Sequence, residues 1–432
     1  MLRRCKIGIL ILILSIVQST GHSDEIISEV FVPADEQEIR RLLVVPFPFY
    51  NESIGTGAGI AAIAQGYIQP QVLAVGAALA SARGTYMSFF MLRNYQVPGW
   101  SRIIIDPQIS SGKFEDIRSY TINSPEFPDE RPGSNDSSER NYLEADGTDF
   151  WFDIRIKYLL PIGDGKDAIF PMTVLYNGVV VSDETVSRRW NPLKSGRTYI
   201  ELTPFYREMD LKDGVRTIQR TAGVEFGLTY DNTDFRSNPS AGSYQSVFLS
   251  RDWGGFDSSA PWTVAGIDFT TYYSLGESET SRQRVAVFNF WTVNCLNWDS
   301  YSLEHGQRVY HRPPTYKGAT LGGLWRLRGY PATRFHDRAA VYYALEYRHT
   351  LVWNPLQQFT LQGRLDTDWI QLLGFMELGR VAPEWKIKTL HKNMKWSYGA
   401  GLRLMINNII VRADLGVSSE DAIVQLFIGH PF

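Results

Sequence analysis

Residues 396–406 read WSYGAGLRLMI and alternate without a break. Trp396, Tyr398, Ala400, Leu402, Leu404 and Ile406 make one row, and Ser397, Gly399, Gly401, Arg403 and Met405 make the other. A period of two belongs to a β-strand, whose successive side chains leave opposite faces. IIVRADLGV (409–417) and TAGVEFGLTY (221–230) repeat the pattern, each with one wholly apolar row. A soluble β-sandwich buries such a row, whereas a membrane barrel turns it to lipid and keeps the polar row in its lumen. Segments of about 10 residues suit a tilted membrane strand, and aromatics gather at segment ends, as at Trp353, Trp369 and Trp396. The expectation is therefore an all-β chain, a transmembrane antiparallel β-barrel.

The first residues supply a route to a membrane. MLRRCK carries three positive charges, the apolar run IGILILILSIV follows, and QSTGHS is small and polar. That is the layout of a secretory leader, too short to span a bilayer as a helix. Residues 1–23 are read as signal peptide, 24–43 as a short periplasmic segment and 44–432 as barrel. Removing the leader takes the net charge from −3 to −3 − 3 = −6. No basic stripe remains, which excludes nucleic acid as a partner. Cys5 leaves with the leader, so Cys295 is alone and no intramolecular disulfide is expected.

Counting alternating segments back from the C-terminus gives sixteen strands, an even number as bacterial barrels have. The count includes one at 168–181 and starts at 55. Residues 115–147, rich in acids, Pro, Gly and Ser, read as a long solvated loop. This count places that loop on the periplasmic side. The closing segment AIVQLFIGHPF holds Leu426 and Ile428 in one register and ends on Phe432. A terminal aromatic on an alternating strand is similar to the signal read by the barrel-assembly machinery, so Phe432, Ile428 and Leu426 are taken as a closing-strand assembly signal.

GLWRLRGY (323–330) resembles the arginine-glycine-aromatic motif of the BamA/TamA superfamily, the bacterial surface antigen family. YDNTDFRSNPSAGSY (230–244), GAGLRLMINNIIVRADLG (399–416) and QLFIGHPF (425–432) resemble, in the same order, that family's turn, penultimate hairpin and closing strand. The resemblance implies a loop between strands 11 and 12 that enters the lumen with Arg328, Gly329 and Tyr330. In the alternating segment AVYYALEYRH, Glu346 and Arg348 fall on the lumen row, and Glu377 does so in the next segment. Glu346, and secondarily Glu377, are thus the expected acidic partners of Arg328. The short N-terminal segment leaves no room for the family's POTRA modules, which points to a barrel-only branch.

The resemblance implies a bacterial outer-membrane barrel that inserts or translocates proteins, or lipids, without chemical catalysis. Its partners would be outer-membrane lipids, the barrel-assembly machinery during its own biogenesis, and an unfolded outer-membrane protein or exported substrate. The alternative is a passive or gated channel. An enzyme is not expected: no Gly-x-Ser-x-Gly elbow or metal-spaced histidine pair occurs. No cofactor or metal is expected either.

Overall fold

The computed structural model describes residues 9–10, 30–33, 40–51, 55–121, 124–180, 190–212, 216–298, 302–304, 307–309, 312–358, 367–406, 409–428 and 431. Among the described residues, sixteen antiparallel strands form the wall. The first eight are β1 (Arg41–Asn51), β2 (Gly55–Gln65), β3 (Leu73–Ser81), β4 (Tyr86–Arg93), β5 (Ile103–Ser119), β6 (Leu143–Leu159), β7 (Arg197–Lys212) and β8 (Arg216–Asp231). Then come β9 (Gly242–Asp252), β10 (Trp262–Ser274), β11 (Ser281–Cys295) and β12 (Ala339–Leu351). β13 (Thr367–Ala382), β14 (Lys395–Ile406), β15 (Ile409–Ser418) and β16 (Ala422–Ile428) complete the wall. Neighbours in sequence are neighbours in the sheet.

Alternation sets the two faces as the sequence indicates. On β14 the outward Trp396, Tyr398 and Leu402 are exposed, while Ser397, Arg403 and Met405 are buried. On β12 and β13, Leu345, Tyr347, Leu372 and Met376 point outward, and Glu346, Arg348 and Glu377 are buried in the lumen. Exposed large apolar residues around a wall whose interior holds ion pairs are the inversion that lipid requires.

Two strand assignments need correction. The segment expected at 168–181 is not in the wall. Met172–Tyr176 pairs with Val179–Val180 and, in parallel, with Val30–Pro33, forming a separate three-stranded sheet. Its place in the count is taken by Arg41–Asn51, so the wall starts before residue 44. RLLVVPFPFYN is apolar on both rows, which erases the period-two signal. Pro46 and Pro48 remove two N–H donors, which only an edge strand tolerates well. With β1 restored, the 120–142 loop joins β5 to β6 and lies on the same rim as the β11–β12 loop, opposite the side expected. We call this the far rim; β1 starts and β16 ends at the near rim.

The strands differ in reach. β5 to β8 have 17, 17, 16 and 16 residues, against 11, 9 and 8 for β2 to β4. At about 3.3 Å per residue, the longer set overshoots a hydrocarbon core of about 30 Å even when tilted. The tall wall carries the 120–142 loop.

Candidate functional site: the arginine loop across the lumen

The β11–β12 connection turns inward instead of staying on the rim. It leans first on the tall wall: Tyr316 stacks on Arg207 of β7 at 3.9 Å, and Lys317 lies 4.2 Å from the Phe205 ring. Arg326 then reaches Asp268 of β10 at 3.1 Å and covers the Trp291 ring at 4.1 Å. Arg328 ends the crossing on the opposite wall.

Arg328 is fully buried and meets three carboxylates from three strands. Its Nε donates to Glu377 Oε1 at 2.7 Å and its backbone N–H to Glu377 Oε2 at 2.6 Å. One Nη donates to Asp414 at 2.7 Å; Glu346 is more distant, at 3.3 and 3.4 Å. The guanidinium plane lies 3.5 Å from the Phe375 ring. A planar fork with five donors suits such a multi-carboxylate seat in a way a lysine ammonium does not.

The carboxylates are themselves held. Tyr342 and Ser397 donate to Glu377 at 2.8 and 2.9 Å. Arg348 and Arg403 donate to Glu346 at 2.7 and 2.8 Å, and Arg412 lies 3.8 Å from Asp414. Buried charges persist only when paired and hydrogen-bonded.

Gly329 lets the loop come this close. Its φ is 99°, and a Cβ there would sit 2.9 Å from the Gly416 carbonyl carbon. A Cβ on Gly416 would in turn lie 2.6 Å from Arg328 C, so two backbones touch where both residues lack side chains. Ser418 Oγ donates to Gly329 O at 2.8 Å. Leu327, fully buried, is held at φ 56°, a conformation costing a branched residue about 1–2 kcal/mol. Tyr330 is buried, its hydroxyl 3.2 Å from Trp396 O and from Ser419 Oγ, its ring edge-on to Phe335.

The sequence therefore named Arg328, Gly329, Tyr330, Glu346 and Glu377, and the structure brings all five together. The order of the partners is reversed: Glu377 is the tight one and Glu346 is shared with Arg348 and Arg403. Asp414 was missed as a partner. Its signal was present, since Glu346, Glu377 and Asp414 are the lumen-row acids of β12, β13 and β15. Leu426 and Ile428 lie in β16, in register with Ala413 and Val411. Phe432 lies outside the described residues.

The loop read from sequence at 115–147 as merely solvated is shorter, 120–142, because β5 runs to Ser119 and β6 starts at Leu143; it latches onto the arginine loop at the far rim. Arg334 donates to Ser137 O at 2.7 Å and pairs with Glu420 at 2.7 Å. His336 N–H donates to Gly133 O at 2.7 Å, and Arg131 pairs with Asp337. Asn135 reaches the β13–β14 loop through Asn393 O at 3.1 Å. Burial, with Arg131, Arg312 and Arg334 nearby, pushes His336 down to about 3. Among the described residues, no cluster of metal-ligating side chains occurs. The arrangement can hold the loop across the lumen.

Residues 152–432 match the Omp85 superfamily domain. Comparison with curated proteins gave no match. Among solved structures, CdiB from Escherichia coli is similar with a TM-score of 0.54 at 8% identity, over 91% of this chain and 65% of that one. BamA from Haemophilus ducreyi lacking POTRA domains 1–3 gives 0.48 at 11% identity, over 90% and 69%. CdiB from Acinetobacter baumannii gives 0.49 at 9%, over 90% and 59%. The chain thus spans about two thirds or less of the CdiB chains. The chain belongs to the Omp85 superfamily, as a non-enzymatic β-barrel of the bacterial outer membrane.

Proposed function

We propose that this barrel inserts proteins into, or translocates them across, the outer membrane, and that it is not a passive pore. One observation carries the reading: the Arg328 loop crosses the lumen from β7 to β15 and is seated in three buried carboxylates. A pore that serves by diffusion gains nothing from a buried obstruction of that strength. A barrel that acts on a client, through its wall or a displaced loop, needs the lumen sealed at rest. In this reading the near rim faces the periplasm, and the client is an unfolded outer-membrane protein or an exported chain. The barrel-assembly machinery handles its own biogenesis, with Phe432, Ile428 and Leu426 as the signal.

The test is reconstitution in proteoliposomes with a labelled, urea-unfolded eight-stranded barrel as client. Faster client folding than in empty liposomes, with low ion flux, is expected. Large steady flux with no acceleration would favour the channel reading instead.

A further inference from the structure

The near rim is crossed as well, by a second segment. Phe170 and Pro171 line a small polar cleft with Ile104, Tyr199 and Arg236, on the β5–β8 side. Five residues beyond Phe170, Leu175 is buried against Trp369, Met405 and Ile410 of β13–β15, with Phe235 of the β8–β9 turn completing the cluster. Gly178 ends the crossing: its carbonyl accepts from Trp369 Nε1 at 2.9 Å. Its φ is 69°, and a Cβ would lie 2.8 Å from the indole. Met172–Tyr176 is therefore a strand strung across the mouth and fastened at both sides.

One edge of that strand is taken by its own hairpin partner, Val179–Val180. The other is taken by Val30–Pro33, in parallel register from Met172↔Val30 to Leu175↔Pro33. This partner comes from more than a hundred residues away, and only seven residues (34–40) separate it from the start of β1. Four residues in a parallel pairing make few hydrogen bonds, so the resident strand is held weakly. The docked sequence, VFVP, has the β-branched and aromatic character that favours a strand.

We propose that the edge of Met172–Tyr176 facing away from its hairpin partner is a docking site for an extended apolar peptide segment, occupied at rest by the chain's own Val30–Pro33. An incoming client segment with similar β-branched or aromatic residues would add to the same edge through main-chain hydrogen bonds, the β-augmentation mode. The resident strand, tethered by a short linker, competes at a high effective concentration. A client must therefore match the edge well to displace it. This goes beyond the insertion reading, because the edge binds a peptide whether or not the barrel moves protein.

The experiment uses the fluorescently labelled peptide SEVFVPAD, residues 28–35, against the purified barrel in detergent. A variant lacking residues 24–33 should bind it saturably, at least ten times more tightly than the full chain. N-methylation at the Phe31 and Val32 amides should abolish binding, and a scrambled peptide should not bind. In the full-length chain, Val32→Cys with Val174→Cys places two thiols at registered positions. Paired strands stand about 4.8 Å apart, within disulfide reach. Oxidation should join them and block the peptide; reduction should restore weak binding. Cys295 is buried and does not interfere. Equal binding by scrambled peptide, equal binding by the full and shortened chains, or peptide binding to the oxidised pair would each overturn the proposal. So would a pair that fails to cross-link. A failed client assay beside a positive peptide result would count against the insertion reading alone.

Discussion

The inner wall of β12–β15 and that of β2–β4 face the same lumen with opposite chemistry. The first presents Glu346, Arg348, Glu377, Arg403, Arg412 and Asp414, all buried and paired. The second presents Ala61 and Leu79, also buried, and Ile63, Leu73, Val75, Phe89 and Met91, which cluster with Trp151 of β6. Of these two walls only the first can seat Arg328, because β2–β4 carry no carboxylate and would leave it desolvated and unpaired. Wall chemistry thus decides where the loop docks. A third pattern lies between them: Lys157–Asp106 and Arg207–Asp149, each 2.7 Å, tie neighbouring strands without involving a loop backbone.

The largest effect should come from breaking the ionic side. Arg328→Ala leaves Glu377 and Asp414 buried without their main cation and should cost about 3–5 kcal/mol, read as a lowered urea midpoint in micelles. The comparison also assumes correct sidedness. Leu402→Arg puts a charge on the lipid face and should cost roughly 2–4 kcal/mol near the bilayer midplane, read by heat-modifiable gel migration. At the rim, His336 has a folded pKa of about 3 against about 6.5 unfolded. Its contribution is therefore full above about pH 6.5 and is lost as pH falls toward 3. Between pH 7 and 5 the latch to Gly133 should weaken by about 2 kcal/mol, seen as a lower protection factor of the His336 amide after the intrinsic pH dependence of exchange is divided out; His336→Gln should remove that dependence. The smallest effect belongs to the apolar wall, where Ile63→Val should cost about 1 kcal/mol. A cost for Ile63→Val rivalling that of Arg328→Ala would undo the contrast.

Strand identity was legible wherever the two rows differ in polarity, as in β8, β12, β14 and β15. It failed for β1, where both rows are apolar. It misled at 168–181, where apolar alternation serves a sheet across the mouth. Glu346 and Glu377 were legible because each is an acid on a lumen row beside apolar neighbours. Their ranking was not, because it depends on how Arg348 and Arg403 divide Glu346, a matter of three-dimensional register. The Gly329–Gly416 contact joins residues far apart in sequence, and nothing local announces it. The 120–142 loop is polar in composition, yet Arg131, Gly133, Asn135 and Ser137 are spent on partners from distant loops.

The central claim is that Arg328, seated on β12–β15, keeps the lumen shut. Single-channel conductance in planar bilayers tests it most directly, comparing wild type with Arg328→Ala after both are shown to be folded by heat-modifiable migration. The account predicts small, rare openings in the wild type and a sharp, sustained rise in conductance in the variant. A wild type that already conducts steadily, or a folded Arg328→Ala barrel indistinguishable from it, would contradict the claim.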